Sequence, residues 1–175
     1  MSSRQLLCVA EKPTVAKTAS SILSRMNLRK ESSPSKYNNN FFFKGTFLGH
    51  DVDIVFTSVL GHLKAIDFPP EYRDRSRTDP HDLFSAPIIE FVPENLRPVE
   101  QNIRNLAAKS YAVLLWLDND REGEAISKEV AEVCQHANPQ INIYRARFSA
   151  LTASELWSAM HSPTIINEKD CLAVK

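Results

Sequence analysis

Tyr111-Ala-Val-Leu-Leu-Trp-Leu117, running into Asp118-Asn-Asp-Arg-Glu-Gly-Glu124, decides how this chain is read. The first part is almost wholly apolar, which predicts a strand buried on both faces, as in a parallel sheet. It then stops at Asp118, Asp120 and Glu122, so the carboxylates lie at the strand's carboxyl end, where open α/β sheets place their ligands. Beyond Glu122 the period changes. Ile126, Val130, Val133 and Cys134 recur at helical spacing, and Glu124 to Lys128 forms a favourable i,i+4 pair. The acids therefore occupy a strand-to-helix turn. Crowded carboxylates repel one another, and a raised pKa or a divalent cation relieves the repulsion. Hard oxygen donors with room for water and phosphate suit Mg²⁺. A plain helix start explains Glu122 and Glu124 equally well through the helix dipole. It does not explain Asp118 and Asp120, which precede the helix.

A length of 175 residues, 43% of them hydrophobic and 24% charged, suits one globular domain with its own core. Lys plus Arg and Asp plus Glu each number 21, so no overall basic field points to nucleic acid, although a local basic groove is compatible with a neutral total. Cys8, Cys134 and Cys171 form no C-x-x-C pair and read as reduced core thiols of an intracellular protein. No apolar run approaches membrane-spanning length.

Leu6-Leu-Cys-Val-Ala10 predicts a second buried strand, broken by Glu11-Lys12-Pro13, with a helix after Pro13 whose face carries Val15, Ala19, Ile22, Leu23 and Met26. This repeats the strand, charged turn and helix of the central stretch. In a parallel sheet such turns open on one edge, so Glu11 and Lys12 can face the acids. Lys12 can offset phosphate charge, and Glu11 can bind metal or move a proton. A plain helix start with a solvated lysine is the other reading. Residues 27–40 read as a polar loop, 41–48 and 52–58 as a hairpin about Gly49-His-Asp51, and 67–87 as irregular, with a short strand at 88–92. Gly61 permits close backbone approach, and His62 beside it is a site candidate. A helix follows Pro98, with Val99, Ile103 and Leu106 on one face. Ile141–Phe148 reads as a strand carrying Arg145 and Arg147 on one face, as edge charges or phosphate contacts. Thr152-Ala-Ser-Glu155 is a capping box.

Val9-Ala-Glu-Lys-Pro13, Thr57-Ser-Val-Leu-Gly-His-Leu63, Leu115–Glu124 and Arg145-Ala-Arg-Phe-Ser149 together resemble the amino-terminal Toprim domain of type IA DNA topoisomerases, most of all the topoisomerase III branch. The resemblance implies an α/β, Rossmann-like Toprim fold: a small, mostly parallel sheet between helices with an inserted β-hairpin. The expected boundaries are residues 1–161 for the domain, with the inserted loop and hairpin at about 27–97, and 162–175 as a tail leading to further domains. It implies Mg²⁺ at Asp118, Asp120 and Glu122, with Glu11 as ligand or proton-transfer group. Lys12 and Arg121 are implied as catalytic groups, and His62, Arg145 and Arg147 as DNA contacts. The implied reaction is cleavage and resealing of one DNA strand through a 5′-phosphotyrosine. The implied partners are single-stranded DNA, the remaining topoisomerase domains, a RecQ-type helicase and an accessory OB-fold protein. The compartment is the nucleus in a eukaryote and otherwise the cytoplasm.

The family's nucleophilic tyrosine sits in a P-R-T context, which none of Tyr37, Tyr72, Tyr111 and Tyr144 shares. The 175 residues alone are therefore expected to be inactive. The alternative function is an inert Toprim module that binds nucleic acid or protein. A phosphoacceptor receiver domain also carries acids at strand ends.

Overall fold

The computed structural model describes residues 4–74 and 76–165 of the chain. Most of the expected tail, with Cys171, lies outside the described residues. Seven strands form the main sheet: β1 (Arg4–Ala10), β2 (Arg29–Glu31), β3 (Asn40–Phe47), β4 (His50–Ser58), β7 (Ala112–Trp116), β8 (Asn142–Arg145) and β9 (Thr164–Ile165). Their spatial order is β2-β3-β4-β1-β7-β8-β9, and the central strands β4, β1, β7 and β8 run parallel. Helices α1 (Pro13–Leu23) and α4 (Ala153–His161) belong to one face, and α2 (Arg97–Ala108) and α3 (Arg121–Ala137) to the other.

The two-sided burial expected of the apolar runs follows from this layering. Along β1, Leu6, Cys8 and Ala10 pack into the α1–α4 core, while Leu7 and Val9 pack into the α2–α3 core. Along β7, Leu114 and Trp116 take the first side and Val113 and Leu115 the second, so a strand between two helix layers has no polar face to offer.

Several local expectations change in detail. The hairpin forms, turning through Leu48 (φ 50°) and Gly49 (φ 79°). Its second strand, β4, lies directly beside β1 in the main sheet. The stretch after it carries a separate two-stranded sheet, β5 (Ala65–Asp67) with β6 (Ile89–Phe91). The polar segment after α1 contains β2, an exposed edge strand paired to β3, with Arg29 stacked over the Phe42 ring at 4.9 Å. Met26 falls outside the buried stripe of α1: that helix ends in a left-handed turn at Arg25 and Met26, leaving Met26 80% exposed. At α4 the Thr152 hydroxyl accepts from the Glu155 N–H as a capping box requires, but Glu155 accepts instead from the Ser149 N–H.

Candidate functional site

In the parallel register of β1 and β7, Ala10 lies opposite Trp116, so the residues that follow them leave the sheet at one edge. The exit of β4 joins them there. The Val59 N–H donates to Ala10 O at 2.9 Å and the Gly61 N–H to Glu11 O at 3.2 Å, and Gly61 adopts φ +89° to do so. Connections after β1 and β7 pass to helices on opposite faces, which makes this edge the crevice where such sheets bind ligands.

Glu11 and Asp118 form an interacting carboxyl pair in that crevice. Burial, and then the Asp118 charge, push the Glu11 carboxyl above its ordinary value, against a hydrogen bond from the Asp118 main chain and the pull of Lys12. Oε2 of Glu11 is buried with no hydrogen-bond partner. A raised acid is a group whose ionisation destabilises the fold. This part of the stability is present while Glu11 stays protonated and is lost as pH rises from its ordinary value through the folded one. Glu11→Gln should therefore melt a few degrees above the parent at neutral pH in the absence of divalent cations, with little difference near pH 4. Thermal melts at both pH values check this, and an unchanged or lower melting point at neutral pH refutes the strained pair.

The other acids are committed elsewhere. Asp120 is the N-cap of α3, its Oδ1 accepting from the Gly123 N–H at 2.7 Å. Glu122 faces His62 Nε2 at 3.8 Å, and His62 Nδ1 lies 3.2 Å from Glu129, which also accepts from the Leu63 N–H at 3.0 Å. Among the described residues no three or more His, Cys, Asp or Glu side chains are gathered as a ready metal cage. The four acids expected at the site are thus a pair and two separately engaged carboxylates. The carboxylates share one edge, but helix capping and His62 draw two of them away from Glu11 and Asp118. What does fit a divalent cation is the Glu11–Asp118 pair itself, with hard oxygen donors, mutual repulsion to relieve and an orphaned buried oxygen. Mg²⁺ needs only one or two protein carboxylates when water and phosphate complete its sphere. Lys12 is exposed beside Glu11, and Arg121 is exposed at the first position of α3.

Arg145 is not a DNA contact. Its side chain is wholly buried, and it donates to Leu117 O at 2.9 Å, Asp118 O at 2.7 Å and Glu124 Oε1 at 3.2 Å. A phosphate cannot reach a guanidinium so enclosed, and the expectation gives way to a clamp under the acidic turn. Arg147, by contrast, is 45% exposed and reaches Glu124 Oε1 at 2.6 Å and Asn119 Oδ1 at 3.3 Å. Burial pushes Glu124 up, but the Arg147 hydrogen bond and the Arg145 charge outweigh it and hold the carboxyl below its ordinary value. Glu124 therefore pairs across the fold, not with Lys128 along its own helix.

The reading of the sequence missed Asn119, Gly123, Glu124 and Glu129. A β-carbon on Gly123 would lie 2.0 Å from Asp118 O, so the helix can approach the strand exit only where there is no side chain. That glycine inside a D-x-D-x-x-G run was a visible signal. The Glu129 latch left none, since its partners lie on a distant loop.

Residues 6–151 match the family model described as "Toprim domain". The chain is 40% identical over 173 residues to DNA topoisomerase 3 of Dictyostelium discoideum, covering 98% of this chain and 21% of that protein. It is 40% identical over 157 residues to DNA topoisomerase 3-alpha of Arabidopsis thaliana, covering 90% and 17%. It is 36% identical over 161 residues to DNA topoisomerase 3-alpha of Homo sapiens, covering 92% and 16%. The chain thus spans about a fifth of the length of the curated relatives it matches.

Proposed function

We propose, from the premise that this chain belongs to the Toprim family and is a Toprim domain of the topoisomerase III branch, that its carboxyl edge supplies the Mg²⁺ and phosphate chemistry for cutting and resealing one DNA strand. The observation that carries this is the Glu11–Asp118 pair with its unpartnered buried oxygen, set beside Lys12 at the switch point of the sheet.

Asp118 would hold the cation with Asp120 and Glu122 next to it on the same turn, and Glu11 would either join it as an ionised ligand or serve as the proton-transfer group. Bound there, Mg²⁺ would neutralise and orient the phosphate oxygens. The Lys12 ammonium stabilises the charge gathering on the phosphoryl group. A tyrosine hydroxyl supplied by another segment gives its proton to solvent as its oxygen attacks phosphorus, and the bond from phosphorus to the 3′-oxygen breaks. In the second role Glu11, whose raised carboxyl favours the protonated form, stays off the cation, gives that oxygen its proton and recovers it on resealing. Tyr111 sits at the amino end of β7, away from the acidic edge, and Tyr144 packs edge-on against Phe47, so neither is placed as the nucleophile. Arg121 and His62 complete the DNA-facing rim. The further topoisomerase domains, a RecQ-type helicase and an OB-fold protein are the partners this reading carries.

A second reading, an inert Toprim module, is favoured by the lack of a formed metal cage among the described residues. Mg²⁺ titration of the melting temperature separates the two. At a free concentration one hundred times Kd the parent should gain about 2.7 kcal/mol, and Asp118→Asn with Asp120→Asn should gain nothing. An unresponsive parent chain favours the inert module.

A further inference from the structure

Of the DNA contacts that the resemblance implies, Arg147 is the one left open, and we infer that Asn119 and Glu124 are positioning residues that preset its guanidinium for a DNA phosphodiester; the inference rests on the DNA reading above. One nitrogen of the guanidinium, Nη1, makes both protein contacts, to Glu124 Oε1 and Asn119 Oδ1. Nε and Nη2 make no hydrogen bond among the described residues, and the side chain is 45% exposed. A guanidinium presents its donors as a planar fork that matches two phosphate oxygens. Here one corner of the fork is pinned and the remaining donors are open. Asn119 is itself fixed, its Nδ2 donating to Phe148 O at 3.2 Å, which turns Oδ1 toward Arg147.

Position gives the fork its target. Asn119 stands between Asp118 and Asp120, so Arg147 is anchored to the acidic turn itself. Arg145, all of whose side-chain nitrogens are bonded beneath the same turn, balances Glu124 from the buried side. A phosphodiester drawn to the Glu11–Asp118 edge would find a cationic fork whose rotamer entropy is already lost before binding.

Binding of a fluorescein-labelled oligodeoxythymidine to the whole chain, by anisotropy over a series of salt concentrations with Mg²⁺ present, tests this. Arg147→Ala should weaken binding about five- to tenfold and lower the slope of log affinity against log salt by about 0.7, the value for one phosphate contact on a single strand. Arg147→Lys should keep the slope yet bind more weakly, because it keeps the charge without the fork. Asn119→Ala should weaken binding about two- to threefold in the parent and not at all in an Arg147→Ala background. Glu124→Gln removes a negative charge beside the DNA, so simple electrostatics would tighten binding, whereas loss of positioning weakens it. An unchanged salt slope in Arg147→Ala, additive losses for Asn119 and Arg147, or tighter binding by Glu124→Gln overturns the inference alone. Failure of the parent to bind at any salt overturns the DNA reading and this inference with it.

Discussion

An Arg145→Met variant is expected to melt about 6–20 °C below the parent, from a loss of about 3–5 kcal/mol at roughly 2–4 °C per kcal/mol for a chain of this size. Methionine replaces the apolar stem but leaves Leu117 O, Asp118 O and the Glu124 carboxylate without the guanidinium. The pair with Glu124 supplies the smaller part, because the Glu124 side chain is half exposed and solvent screens it. Most of the loss comes from enclosed main-chain carbonyls left without a charged donor. Acid should weaken the same clamp. Glu124 is held below its ordinary value, so its contribution is present above that value and is lost as pH falls through the folded one. Arg145→Lys should recover only part of the stability, since an ammonium cannot reach all three acceptors in one plane. A shift under about 2 °C for Arg145→Met, below 1 kcal/mol on this scale, would show that the guanidinium is not the support of the turn.

The second large effect belongs to Gly123→Ala. Alanine is the better helix former by about 1 kcal/mol, and on propensity alone the variant would be stabilised. The added methyl would lie 2.0 Å from Asp118 O and 2.9 Å from Asp118 C, and a collision with main chain cannot be relieved by a rotamer change. Overpacking of this kind costs up to about 3 kcal/mol, so the collision prevails and the net loss is about 2 kcal/mol, or about 4–8 °C. Moving the start of α3, with its Asp120 cap, also shifts Asp118 relative to Glu11. The Mg²⁺ response should therefore fall further than the stability does. A melting point equal to or above the parent's would mean that the helix start tolerates a side chain, and the account of the turn would be wrong.

Local rules served where the local pattern and the fold agreed. The buried strands at Leu6–Ala10 and Ala112–Trp116, the stripe of α3 through Ile126, Val130, Val133 and Cys134, and the two strand-turn-helix units were all legible, because a strand between two helix layers must be apolar on every residue. Local rules failed where a distant group competed. Glu124 to Lys128 is a sound i,i+4 pair worth a few tenths of a kcal/mol, but two guanidiniums more than twenty residues away captured the carboxylate. Arg145 and Arg147 share a face, as their alternation implied, yet one is wholly buried and the other nearly half exposed. No period-two pattern distinguishes them, since enclosure depends on what the next strand and helix place overhead.

By itself the sequence determined a mostly parallel α/β arrangement with acids and a lysine at strand exits, because hydrophobic period and turn chemistry are properties of adjacent residues, while its motifs carried the resemblance to the Toprim family. Only the tertiary structure decided how those charges are shared. It paired Glu11 with Asp118, made Asp120 a cap, buried Arg145 and left Arg147 open, because electrostatic energy depends on distance and burial, which the parallel packing of β1 on β7 and of β7 on β8 sets across more than a hundred residues of chain.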